Sequence, residues 1–250
     1  MTKQIKSNQI HIVLGLGNSG ISAAKLLKSE NKKVLVFENN TNKKLIDLSN
    51  KLKSEGIDVL LLGEPLDINN FTPWIGKISS IIVSPGIDWK HKALKELRNK
   101  NINMQGEVEL AWERLNHIKS IGITGTNGKT TVTNMLNHVL KLNGLNTDMG
   151  GNIGKALSKI ALENMQNNYQ KLNWLVLELS SYQIEGAQKL NPTIGIWTTF
   201  TPDHLERHND IETYFNIKLS LFKKSSIRIY NSDDKYLSNK RKELPKGIWV

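Results

Sequence analysis

Cysteine is missing altogether from these 250 residues. Its absence excludes a disulfide framework, a zinc–thiolate centre and a cysteine nucleophile. Long apolar runs are missing too, and none approaches the roughly 18 residues that a membrane-spanning helix needs. The opening segment Met1-Thr2-Lys3-Gln4-Ile5-Lys6 lacks the apolar core of a signal peptide, so the cytoplasm is the expected compartment. Aromatic residues make up only 6% of the chain, too few among the basic residues for a nucleic-acid stacking platform. Acidic residues are the minority, 23 Asp and Glu against 34 Lys and Arg, for a formal charge of +11. The lysines follow polar helix faces, as in Lys92-Ala93-Leu94-Lys95-Glu96-Leu97-Arg98-Asn99-Lys100, rather than forming one patch. We therefore expect no nucleic-acid partner, although the positive excess favours small anionic substrates.

What is present is the composition of a globular protein, 38% hydrophobic and 23% charged, with length for two domains. Hydrophobic patterning divides it into two α/β units. The first opens with a buried strand, Ile10–Leu14, then a glycine turn and a helix with Ile21, Ala24 and Leu27 on one face. A strand over Val34–Phe37 ends at Glu38, Leu45–Leu52 reads as a helix, and Val59–Leu62 and Ile78–Val83 as strands. A helix containing Val108–Leu115 precedes a boundary near 116–120. The second unit shows strands at Ile118–Ile123, Leu172–Leu177, Ile194–Thr198, Ile227–Tyr230 and Ile248–Val250. Its helices are expected at Lys129–Leu142, Ile153–Leu162, Gln183–Leu190, Glu212–Phe222 and Asp234–Arg241. Such alternation predicts parallel, helix-flanked sheets.

Two glycine loops carry the chemistry. The stretch Gly125-Thr126-Asn127-Gly128-Lys129-Thr130-Thr131 lies between a predicted strand and a predicted helix. There, backbone N–H groups and the helix N-terminus converge on a phosphate. Lys129 would reach the β- and γ-phosphates, and the Thr130 hydroxyl would ligate Mg²⁺. The first glycine of G-x-x-x-x-G-K-[ST] is replaced by Ile123. Upstream, Gly15-Leu16-Gly17-Asn18-Ser19-Gly20 has the form of a dinucleotide fingerprint, with Glu38 ending the next strand. That pattern serves NAD(P) or another diphosphate equally well.

Further segments share one order with these loops. They are Ser84-Pro85-Gly86-Ile87, Gly106-Glu107-Val108-Glu109-Leu110, Gly150-Gly151-Asn152-Ile153-Gly154 and Leu177-Glu178-Leu179-Ser180-Ser181-Tyr182-Gln183. Thr201-Pro202-Asp203-His204-Leu205-Glu206-Arg207-His208, Tyr214-Phe215-Asn216-Ile217-Lys218 and Asn231-Ser232-Asp233-Asp234 follow. From about Ile10 to Asp234 the ordered set resembles the Mur ligases, ATP-dependent amide-forming enzymes related to folylpolyglutamate synthetase. Within that family the match is nearest to the members that add D-glutamate.

The resemblance implies a Rossmann-like UDP-substrate domain over 1–116 and a P-loop ATPase-type central domain over 117–250. It further implies that a third, amino-acid-binding domain lies outside the 250 residues. The chain ends in a predicted strand, so by itself it is expected to be inactive. Implied partners are UDP-N-acetylmuramoyl-L-alanine and D-glutamate, with ATP and two Mg²⁺ as cofactors, in a monomer serving peptidoglycan precursor synthesis. Gly17, Asn18, Ser19, Glu38, Asn39 and Ser84 would hold the uridine nucleotide. Asn152, Ser180, Gln183 and His204 would meet the rest of that substrate, and Gly125 to Thr131 would hold ATP. Lys129, Glu178, His204 and Lys218 would be catalytic. Thr130, Glu178, His204 and Lys218 would be the metal ligands, Lys218 as a carbamate formed with CO₂.

On position alone, plainer readings exist for several of these residues. Ser84-Pro85-Gly86 is also an ordinary turn, Glu178 a helix cap, His204 a lone loop histidine and Lys218 a snorkelling surface lysine. The chemistry implied is attack of the muramoyl-alanine carboxylate on the γ-phosphate, then displacement of phosphate by the amine of D-glutamate. A sister ligase adding another amino acid, a dinucleotide-dependent oxidoreductase and an inactive nucleotide-binding fragment are the alternatives.

Overall fold

A computed structural model describes residues 9–39, 41–166 and 172–250. The N-terminal segment Met1–Lys6, weighed above as a possible signal, lies outside them. In chain order the elements begin with β1 (Ile10–Leu14), α1 (Asn18–Ser29), β2 (Lys33–Glu38), α2 (Lys43–Ser54) and β3 (Asp58–Leu61). Two short 3₁₀ turns, Ile68–Asn70 and Thr72–Lys77, lead to β4 (Ile78–Val83), α3 (Lys92–Asn99), β5 (Met104–Gly106) and α4 (Glu107–Leu115). Then come β6 (Lys119–Thr124), α5 (Lys129–Leu142), β7 (Thr147–Gly151), α6 (Leu157–Gln166), β8 (Trp174–Glu178) and α7 (Ser181–Glu185). The last are β9 (Ile194–Trp197), α8 (Leu205–His208), α9 (Ile211–Lys224), β10 (Ile227–Tyr230), α10 (Lys235–Asn239) and β11 (Ile248–Trp249).

The strands form two sheets, five-stranded β3-β2-β1-β4-β5 and six-stranded β11-β10-β9-β6-β8-β7. Every strand pairing within them is parallel. The α/β architecture expected from the alternating pattern is the one found, and inner strands such as β1, β6 and β8 are buried under crossover helices. Strand order reverses beside β1 and beside β6, and both glycine loops leave those strands at their C-terminal ends. That is where open α/β sheets gather ligands.

One apolar cluster runs through both units. It joins Val13, Ala24 and Val36 of the first sheet and α1 to Val108 and Trp112 of α4, and on to Leu157, Ile160, Leu175 and Trp197 of the second unit. Smaller clusters cover the outer face of each sheet. Among the described residues, no helix is long and apolar enough to cross a membrane.

Several expectations need correction. Gly150-Gly151 belong to the edge strand β7, which is absent from the expected strands. A Cβ on Gly151, at φ +108°, would meet the Glu178 carbonyl oxygen at 2.3 Å, so glycine lets two backbones touch there. The helix expected from Ile153 starts at Leu157, because the loop must first turn through Gly154 at φ +67°. The helix expected over Gln183–Leu190 is Ser181–Glu185. Gly186 then interrupts it, its carbonyl accepting from Gly106 N at 2.8 Å. Asp234 caps α10 rather than lying in it, accepting from Leu237 N. The short elements β5 and α8 carry too little pattern to be seen in sequence.

Candidate active site

The phosphate-type loop spans the end of β6 and the start of α5. Gly125 adopts φ +152°, and a Cβ there would lie 2.0 Å from Thr198 Oγ1, so no side chain fits. Gly128 N-caps α5 in the left-handed region. Thr126 N donates to Thr199 O at 2.8 Å and Asn127 N to Thr199 Oγ1 at 3.0 Å. The Thr198 hydroxyl donates to Asn127 O at 2.5 Å. The loop's first amides thus hold its own shape, and the first-turn amides of α5, around Lys129 to Thr131, remain as the anion-facing donors.

Lys129 bends back across this loop, its Nζ donating to Gly125 O at 3.0 Å and Thr126 O at 2.8 Å. Burial lowers its pKa, against the opposing pull of Glu178 and Asp203. Thr130 Oγ1 donates to Glu178 Oε2 at 2.8 Å, and Asn152 Nδ2 donates to Oε1 of the same carboxylate at 2.8 Å. Glu178 is buried at the end of β8. Two residues expected at the site therefore meet on the carboxylate of a third. A hydroxyl and a carboxylate at this spacing suit Mg²⁺, which takes few protein ligands and completes its shell with phosphate oxygens and water. Among the described residues no three His, Asp or Glu side chains converge as a fuller cage.

Lys218 is no surface lysine. It lies on α9 with 1% exposure, its Nζ donating to Thr124 Oγ1 at 3.2 Å and to Gly125 O at 3.0 Å. The ammonium also sits 4.7 Å from the Tyr214 ring centre. Burial first, then the charge of Lys129, lowers its pKa to about 7. His204 sits on the loop before α8 at φ +52°. Its ring faces Asp203 at 3.4 Å, Glu206 at 3.9 Å and the Tyr182 ring at 5.1 Å. The next histidine, His208, is buried and pairs with Ser181 Oγ at 2.9 Å. Burial and then the Arg207 charge lower its pKa to about 4. Ser180 and Gln183 form the capping box of α7, so each already engages the other's backbone.

On the first sheet, Gly17 N-caps α1, and Asn18 and Ser19 open that helix. The Glu38 carboxylate accepts from Leu16 N at 2.6 Å and Asn39 N at 2.8 Å. Ser84 begins a turn closed by Ile87 N donating to Ser84 O at 3.0 Å. Glu38, Asn39, Ser84 and Ile87 line one cleft of about 230 Å³ beside Gly15. Sequence reasoning missed the hydroxyls of Thr124, Thr198 and Thr199. A Thr-rich run after a strand was the available signal, but its partners lie some seventy residues away.

Two family models match the chain: the MurD-like N-terminal domain of Mur ligases over residues 9–106 and the Mur ligase middle domain over 123–248. The UDP-N-acetylmuramoylalanine–D-glutamate ligase of Prochlorococcus marinus strain NATL2A is 80% identical over the whole chain. The ligase of the same name from a second Prochlorococcus marinus strain is 52% identical over 96% of it. These matches take in 53% and 51% of those proteins, so the chain spans about half the length of the curated relatives it matches. Among solved structures, the UDP-N-acetylmuramate:L-alanyl-gamma-D-glutamyl-meso-diaminopimelate ligase from Neisseria meningitides aligns with a TM-score of 0.64 at 17% identity. That alignment covers 96% of this chain and 76% of that one. A murein peptide ligase from Psychrobacter arcticus gives 0.59 at 16% identity, covering 96% and 52%. Likeness at such identity speaks for the fold alone.

Proposed function

The chain belongs to the Mur ligase family, and on that premise we propose that it carries the UDP-substrate and ATP sites of a peptidoglycan-precursor ligase. The reaction is the joining of D-glutamate to UDP-N-acetylmuramoyl-L-alanine. The observation that carries this reading is the convergence of Thr130, Asn152 and Glu178 at the mouth of the phosphate-type loop, under Lys129. The added amino acid is supported by the relatives that bear that name at 80% and 52% identity.

Residues 1–116 form the UDP-substrate domain in this reading, with Gly17, Asn18, Ser19, Glu38, Asn39 and Ser84 around the uridine nucleotide. Residues 117–250 form the ATP domain. The α5 amides and Lys129 hold the phosphates and stabilise charge on the γ-phosphate as the substrate carboxylate attacks it. D-Glutamate's amine then displaces phosphate from the resulting acyl phosphate. Thr130 and Glu178 would hold one Mg²⁺, and His204 with carbamylated Lys218 a second. Bound Mg²⁺ neutralises phosphate charge. Asn152 fixes the orientation of Glu178 and offers its remaining polar groups to the substrate. Lys218 suits carbamylation because CO₂ is attacked by a neutral amine, and burial favours that form.

Calorimetry of the purified chain tests the binding half of the proposal. UDP-N-acetylmuramoyl-L-alanine and Mg-ATP should each bind; binding of neither overturns it. Phosphate release dependent on D-glutamate, measured in a polypeptide of the relatives' full length carrying these residues, tests the chemical half.

A further inference from the structure

Arg207 follows His204 by three residues, and its side chain reaches the first unit. Its side chain is only 11% exposed. Nη2 donates to the Ile87 carbonyl at 2.9 Å and to Glu185 Oε2 at 3.0 Å, while Nε lies 3.7 Å from Asp88 Oδ1. The guanidinium also stands 5.2 Å from the centre of the Tyr182 ring, which in turn meets the His204 ring at 5.1 Å. Ile87 is the last residue of the turn that Ser84 opens, and that turn lines the cleft beside Glu38. Glu185 ends α7, the helix that begins three residues after Glu178. One side chain from α8 thus grips the nucleotide-cleft turn of the first sheet and a helix leading from the carboxylate of the second.

We propose that Arg207 is a positioning residue that sets the register between the two half-sites, so that a substrate anchored at the Ser84 turn presents its far end to Glu178 and Lys129. This rests on the functional reading above, in which one substrate spans both units. A guanidinium suits the task. Its planar fork holds a carbonyl and two carboxylates at fixed angles, and it stays charged under all working conditions. Lysine would offer a point charge without that geometry. Small errors in such alignment are expensive, because reacting atoms must be held about 3–3.5 Å apart with their orbitals aligned.

The test uses two ligands of different reach. UDP touches only the first unit, whereas UDP-N-acetylmuramoyl-L-alanine reaches both. Calorimetry of wild type, Arg207→Met and Arg207→Lys, each checked for an unchanged melting profile, should leave UDP affinity within about twofold. Affinity for the longer ligand should fall roughly tenfold in Arg207→Met and less in Arg207→Lys. If Arg207→Met fails to fold, Arg207→Lys and Glu185→Gln carry the same comparison. Equal weakening of both ligands would reduce Arg207 to a local support of the turn, and unchanged affinity for both would remove it from the site. Either result overturns the proposal while leaving the functional reading in place. Failure of wild type to bind either ligand would instead sink that reading, and this inference with it.

Discussion

Lys129 and Lys218 reach the loop from two helices and end on the same Gly125 carbonyl, yet their expected roles differ. Lys129 is expected to neutralise phosphate charge, and contacts of that kind are worth about 100-fold or more in turnover. Lys129→Ala should therefore nearly abolish ligation in a full-length polypeptide while sparing UDP-ligand affinity in calorimetry. Near-normal turnover would end the phosphate-loop assignment. Lys218, with a pKa near 7, is expected to add to CO₂ through its neutral amine, releasing one proton. Under constant ¹³CO₂ pressure, NMR should show a carbamate carbon that strengthens from about pH 6 to about pH 8 as the neutral amine is populated. It should vanish in Lys218→Arg. A spectrum without that signal in wild type would leave Lys218 an unmodified buried lysine.

Among the elements, α4 stands out as the joint. Its first residue, Glu107, is 1% exposed and accepts from Ser158 N at 2.5 Å in the first turn of α6. Glu109, also buried, accepts from Lys189 N at 2.9 Å. Burial raises the Glu107 pKa from 4.5 to about 6, partly offset by the Ser158 hydrogen bond. A folded pKa above the unfolded one means that this carboxyl favours the fold fully below pH 4.5, and that this contribution is lost as pH rises through about 6. The shift corresponds to about 2 kcal/mol. Chemical denaturation across that range should show Glu107→Gln gaining about that much on wild type between acid and neutral pH. Parallel curves would mean that Glu107 ionises as freely as in the unfolded chain.

The same elements show how far sequence reaches. Parallel sheets were legible because strand–helix alternation leaves a parallel sheet few alternatives. The β7 edge was not, since Gly150-Gly151 looks like a turn until the Glu178 backbone is seen lying against it. Lys129 and Thr130 could be named from local spacing, and Glu178 only through the family resemblance, since position alone also fits a helix cap. Thr124, Thr198 and Arg207 could not, because their roles depend on partners in distant elements.

For the molecule as a whole, a single apolar cluster spans both sheets, and α1 and α4 both pack on α6. Unfolding should accordingly be one cooperative transition, with fluorescence and far-UV circular dichroism midpoints that coincide. Two separated transitions would show that the shared core does not couple the units.

Four of the polar fastenings across that joint share one further property. Glu107 is met by the Ser158 amide, Glu109 by the Lys189 amide, Gly106 N by the Gly186 carbonyl and Arg207 by the Ile87 carbonyl. In each, at least one partner is main chain, which every amino acid supplies except that proline lacks the N–H. The side chain at a position such as 87 can therefore change without removing the main-chain bond it carries, provided the gripping Arg207 stays. Divergence on the main-chain side of these four contacts is therefore expected to cost the joint little, and a half taken from a diverged relative should still find these fastenings on the other.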